Sequence, residues 1–138
     1  MRKLLRKTAS VAAALGLAAT GLLATAAPAA AATYGGECGS GYSVVNSAAV
    51  GTKGTVFLTY NNSNGRNCVV TKRNAAGSAV IIEAGLSISP AGGHWDVYEG
   101  DYFTSYAGPI YLNAAGRCVD WMGRISGTEG GKRGTNCG

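Results

Sequence analysis

Four cysteines, Cys38, Cys68, Cys118 and Cys137, are the residues best equipped for chemistry in this 138-residue chain. All four lie downstream of residue 32, behind a segment that reads as an export leader. Outside the cell thiols oxidise in pairs, so the chemistry expected of them is disulfide formation. Paired cysteines leave no thiolate nucleophile. No Cys-x-x-Cys spacing occurs and there is one histidine, so neither a metal site nor a cofactor is expected.

That histidine, His94, follows Gly92-Gly93, with Trp95 beside it and Asp96 two residues on. A Ser-His-Asp set needs a positioned serine, and no Gly-x-Ser-x-Gly elbow exists. His94 therefore reads as a surface residue at a strand start. The acids Asp96, Glu99 and Asp101 cluster around Gly100, and Asp120 lies in Cys118-Val119-Asp120-Trp121. Two carboxylates in a cleft can hydrolyse a glycosidic bond. Glu99-Gly100-Asp101, however, reads as a convex hairpin tip. A small ribonuclease would use Glu83 as base with His94 and an arginine, but such an enzyme needs a helix on its sheet, and no helical apolar period is present. No catalytic residue is assigned, and the expectation is a non-enzymatic protein.

The aromatic residues suggest contact rather than catalysis. Trp95, Tyr98, Tyr102, Tyr106 and Trp121 crowd the last third of the chain, and Tyr102, Thr104 and Tyr106 fall on one face of an expected strand. An exposed row of rings would make a contact surface for sugars or another protein. The competing reading is that they fill the core or bridge strands.

These residues need elements to position them. Arg2, Lys3, Arg6 and Lys7 precede an uncharged, Ala- and Leu-rich run over 11–27; Pro28 breaks it and Ala30-x-Ala32 follows. This is the layout of a secretory signal peptide, so residues 1–32 are expected to be removed and 33–138 to form one domain with no membrane attachment of its own. Of 12 Lys+Arg, four lie in the leader; 8 remain against 7 Asp+Glu, a net charge of +1. A near-neutral domain with scattered basic residues gives no reason to expect a nucleic-acid partner.

The domain is Gly-rich, with short β-branched and aromatic runs between turn signals. Asn61-Asn62-Ser63-Asn64-Gly65 is the strongest turn, and Asn74-Ala75-Ala76-Gly77 recurs as Asn113-Ala114-Ala115-Gly116. Ala107-Gly108-Pro109 reads as another break. Strand-like runs are 42–47, 55–60, 68–73, 79–84, 86–88, 95–97, 102–106, 110–113 and 118–122. In the second of these Val56, Leu58 and Tyr60 share one face. The fold class expected is all-β: a small antiparallel β-sandwich or flattened barrel of seven to nine short strands with two disulfides. Four cysteines allow three pairings. A strand–turn–strand echo ending in Cys68-Val69 and again in Cys118-Val119 favours Cys38–Cys68 and Cys118–Cys137, each clamping a chain end to a hairpin.

An ordered series of words then stands out: Cys38-Gly39-Ser40-Gly41-Tyr42, the run from Gly54 to Asn61, Asn67-Cys68-Val69-Val70-Thr71, Tyr106-Ala107-Gly108-Pro109-Ile110-Tyr111, and Cys118-Val119-Asp120-Trp121. In order and spacing the mature chain resembles the spore-associated protein A family of sporulating actinobacteria. The resemblance implies a small exported protein at the surface of spores or aerial hyphae, with the four cysteines as disulfide partners and no carried-over activity. Attachment would be non-covalent, to a polysaccharide or protein of the cell wall or spore envelope. Two alternatives stand beside this structural, adhesive role: a polysaccharide-binding module built on the aromatic residues, and a secreted protease inhibitor with 61–67 as its bait loop.

Overall fold

A computed structural model describes residue 21 and residues 30–138. Apart from Gly21 and residues 30–32, the expected leader lies outside the described residues. Eight strands follow in order: β1 (Tyr42–Val50), β2 (Gly54–Asn61), β3 (Arg66–Arg73), β4 (Val80–Ile88), β5 (Val97–Phe103), β6 (Tyr106–Asn113), β7 (Val119–Ile125) and β8 (Thr128–Thr135). They form two four-stranded sheets, β1-β2-β3-β6 and β5-β4-β7-β8, with every pairing antiparallel. The sheets stack as a sandwich and do not close into a barrel. We call them sheet A and sheet B.

Period-two alternation decides what each strand buries. Val56 and Leu58 of β2 and Val69 of β3 turn inward from sheet A. Ile82, Ala84 and Leu86 of β4 and Val119, Trp121 and Ile125 of β7 turn inward from sheet B. These four strands are the inner pairs of their sheets, so their side chains are shielded laterally as well as from above.

Three sequence readings are corrected. The runs 79–84 and 86–88 are one strand, β4, because Gly85 stays extended in the ladder between Tyr98 and Met122. Glu99-Gly100-Asp101 is the middle of β5 rather than a hairpin tip, and Ala107-Gly108-Pro109 lies within β6. The chain turns at Thr104-Ser105 instead, and this turn carries it from sheet B to sheet A. Tyr102 and Tyr106 thus stand on strands of different sheets and share no strand face. Strand β8 (TEGGKRGT) has no aliphatic residue to announce it.

Cys38 is bonded to Cys68 and Cys118 to Cys137, the pairing favoured by the hairpin echo. The first bond holds a strap, residues 30–41, across the outer face of sheet A. Cys38, Cys68 and Val70 are buried there under Tyr34, Tyr42 and Tyr111. Tyr111 donates its hydroxyl to the Cys38 carbonyl at 2.9 Å, and the Cys38 N–H donates to the Tyr34 hydroxyl at 3.1 Å. Lys72 donates to the Thr33 carbonyl at 2.8 Å and pairs with Glu37. Burial pushes the Glu37 carboxyl up, but Lys72 and nearby backbone N–H groups outweigh it and hold the group below its ordinary value.

Candidate functional site

With sheet A covered by the strap, the outer face of sheet B is the large open surface. Ile81, Glu83 and Gly85 of β4 point outward, since Ile82, Ala84 and Leu86 occupy the core. Register places Ile81 opposite Tyr102, Glu83 between Gly100 and Arg124, and Gly85 between Tyr98 and Met122. Glu129 of β8 lies opposite Arg124 and extends the middle row to the far edge.

Two mid-strand glycines make room for rings on this face. A Cβ on Gly85 would stand 2.6–2.9 Å from Cδ2, Cε2 and Cγ of Trp95. Three ring atoms at nearly one distance mean that the indole lies face-down on bare backbone. A Cβ on Gly100 would meet the phenol end of Tyr98, with Cζ at 2.8 Å. Tyr98 is 50% exposed, Tyr102 66% and Ile81 42%.

A polar row runs between the rings. Tyr98 donates its hydroxyl to Glu83 Oε1 at 2.7 Å, Arg124 Nη1 donates to Glu83 at 3.1 Å, and Arg124 Nη2 donates to Glu129 at 2.5 Å. The hydrogen bond to Glu83, helped by burial, pushes the Tyr98 phenol up. The bond to Glu129 raises Arg124 against a smaller desolvation effect. Near Ile81 and Tyr102 a hollow of about 490 Å³ opens, walled also by Glu83 and Arg124.

The connection over residues 89–96 carries Trp95 onto the face, and Asp120 pins it. The Asp120 side chain is 2% exposed. Its Oδ2 accepts from the Ala91 N–H at 2.8 Å and from Arg133 Nη1 at 3.2 Å; its Oδ1 accepts from the Gly134 N–H at 2.7 Å. Burial pushes this carboxyl up, but bonds from Ala91, Ser89, Gly134 and Arg133 outweigh it, and the group is held below its ordinary value. Arg133 also stands 5.6 Å from the Trp95 ring centroid, beside a cleft of about 260 Å³ that reaches Gly131.

Of the aromatic residues singled out in the sequence, Trp95, Tyr98 and Tyr102 meet on this face. Tyr106 is exposed but belongs to sheet A. Trp121 is corrected: it faces inward at 1% exposure, and its indole N–H donates to the Thr135 hydroxyl at 2.8 Å, so it serves the core. The acids disperse. Asp96 accepts from the Ile88 N–H, Glu99 ties β5 to β6 by accepting from the Gly108 N–H, and Asp101 accepts from the Tyr102 N–H. Glu83 meets an arginine but not His94, which lines a small hollow beside Trp95 and Arg133.

Gly85, Gly100, Arg124, Glu129 and Arg133 were not anticipated as parts of a site. The signal for the first two was a glycine inside a strand, which often marks close approach of another group. The expected bait loop is a tight turn. Asn61 O accepts from the Gly65 N–H at 2.9 Å, and the Asn61 side chain accepts from the Ser63 N–H at 2.8 Å. Closed in this way, it offers little extended backbone to a protease cleft.

Among curated proteins, the chain is 47% identical over 132 residues to Spore-associated protein A of Streptomyces coelicolor, an alignment that covers 91% of this chain and 84% of that one. No protein-family model and no solved structure matches.

Proposed function

The chain belongs to the spore-associated protein A family, and from that membership we propose that it is a secreted, non-enzymatic protein of the spore or aerial hyphal surface, held there by adhesion through the outer face of sheet B. The observation that carries this reading is the asymmetry of the sandwich. One outer face is sealed by a disulfide-pinned strap, whereas the other presents Trp95, Tyr98, Tyr102 and Ile81 around a row of charges. Exposed rings of this kind cost solvation free energy in a free monomer and repay it when another surface covers them. Both disulfides suit an oxidising, extracellular setting. The titratable groups nearest the face are engaged in holding strands and the 89–96 connection together, which supports a binding role over a catalytic one.

Fractionation tests the reading. Immunoblots of washed spores, hyphae and medium should find the protein on the sporulating surface, and a Tyr98→Ala, Tyr102→Ala double variant should move to the medium. Wild-type protein free in the medium with none on spores, or a double variant retained as well as wild type, would refute it.

A further inference from the structure

We infer that the outer face of sheet B binds an uncharged polysaccharide, stacking sugar rings on Trp95 and Tyr98 and engaging their hydroxyls with Glu83, Arg124 and Glu129. This rests on the adhesive reading above and names what the face adheres to.

The two glycines carry the argument. An aromatic side chain on a sheet surface ordinarily stands up from it among its neighbours' side chains. Gly85 and Gly100 remove those neighbours, and the Trp95 ring lies down on the backbone. A ring lying on backbone buries one π-face and turns the other outward, where a sugar would share the half-buried Trp95 with the Arg133 guanidinium 5.6 Å from its centroid. A pyranose presents a flat patch of C–H groups, which complements such a ring by area and by the negative potential of its π-face. The adjoining polar groups supply the other half of sugar recognition. Carboxylate and guanidinium oxygens and nitrogens held across three strands accept from and donate to vicinal hydroxyls without needing to be ordered on binding.

Charge selects among polymers. Glu83 and Glu129 against Arg124 leave this row one negative charge, and the Asp120–Arg133 pair beside Trp95 adds no net charge. A polyanion, including an anionic lipid surface, meets repulsion here. A neutral glycan meets none. Length is also indicated: Tyr98 and Tyr102 stand on one face of β5 roughly 14 Å apart along the strand, with Trp95 beyond Tyr98. The face suits a chain of several sugars rather than a monosaccharide.

The test is affinity electrophoresis of the disulfide-intact secreted protein in native gels cast with a soluble β-glucan, glycol chitin, hydroxyethyl cellulose or polygalacturonate. At least one neutral polymer should retard the wild type, and polygalacturonate should not. Trp95→Ala and Tyr98→Ala should each weaken retardation about tenfold. Gly100→Val, which keeps every ring but lifts Tyr98 from its bed, should weaken it comparably, while Tyr98→Phe, which keeps the stack, should change it less than threefold. Thermal unfolding identifies any variant that fails to fold, and the Tyr98→Ala and Tyr98→Phe pair then decides. Failure of every neutral polymer, retardation indifferent to Trp95→Ala, or preference for polygalacturonate overturns the inference. If fractionation finds the wild type on spores and the Tyr98, Tyr102 variant in the medium while no neutral polymer retards the protein, adhesion stands, the partner is a protein, and this inference fails. If a neutral polymer binds but the spore surface carries none of the protein, the inference stands and the adhesive reading fails.

Discussion

Asp120→Asn is the substitution that most directly probes how the Trp95 face is built. The carboxylate accepts from the Ala91 N–H and from Arg133 at one oxygen and from the Gly134 N–H at the other. It thereby joins β7 to the connection that carries Trp95 and to the end of β8. An asparagine can satisfy one side but must point its own NH₂ at a donor on the other. The change removes one charge-assisted bond, about 1.5–3 kcal/mol, and leaves a buried N–H unpaired, about 1–3 kcal/mol. Partial relaxation brings the expected loss to about 3 kcal/mol at pH 7, or roughly 15 °C in Tm for a domain of this size. The pH dependence has a definite sign. Asp120 is held below its ordinary value in the folded state, so its contribution is complete above the unfolded value of about 4 and is lost as pH falls through the lower folded value. Glu37 is shifted in the same direction, but it is common to both proteins and cancels in the difference. Urea titrations followed by tryptophan fluorescence at pH 7, 5 and 3 should therefore give a gap that is constant between pH 7 and 5 and smaller at pH 3. A gap below 1 kcal/mol at pH 7, or one that does not shrink in acid, would refute the assignment of Asp120 as an ionised clamp.

Other perturbations test the remaining parts of the frame. Cys38→Ser with Cys68→Ser opens a separation of 30 residues; it should cost about 3.5 kcal/mol and speed hydrogen exchange across residues 30–41, and unchanged exchange there would mean that the strap does not depend on the bond. Losing Cys118–Cys137, with its separation of 19, should cost about 3 kcal/mol and loosen β8, as read by exchange at residues 128–135. Tyr111→Phe removes the hydroxyl that Cys38 accepts and should cost about 1 kcal/mol in urea unfolding. The two tryptophans should separate spectrally: Trp121→Phe leaves the redder, more acrylamide-accessible emission of half-buried Trp95, and Trp95→Phe leaves a blue, protected one from Trp121.

What the sequence disclosed followed the strength of local physical signals. Alternation in Val56, Leu58 and Tyr60 and the regular turn residues were enough to indicate a two-layer antiparallel β fold. The hairpin echo pointed to the observed disulfide pairing. Legibility ended where tertiary context overrode a local preference. Glycine and proline ordinarily break strands, yet Gly100 continues β5 beneath Tyr98 and Pro109 lies inside β6. A break at Gly100 would set Tyr102 and Tyr106 on one strand; with Gly100 inside β5 the turn falls between them, at Thr104-Ser105. Strand β8 escaped notice because an edge strand of Gly, Lys, Arg and Thr buries little and so needs no apolar period. The Glu83–Arg124–Glu129 row depends on cross-strand register, which no single strand's pattern encodes.

The two outer faces show why one sheet needs a cover and the other does not. On sheet A, Phe57 and Val70 point outward and are buried only because Tyr34 and the strap lie over them. Without the strap that apolar surface would be wet, at about 25 cal/mol per Å². On sheet B the corresponding positions are Ile81, Glu83, Gly85, Ser87, Asp120, Met122, Arg124 and Gly131; two of these are aliphatic, and Met122 is already buried while Ile81 stays 42% exposed. Of the rings on that face, Trp95 lies over Gly85 and Tyr98 over Gly100, whereas Tyr102 stands 66% exposed opposite Ile81. Tyr98 and Tyr102 are left wet in the free monomer, and the adhesion proposed above is the contact that would cover them.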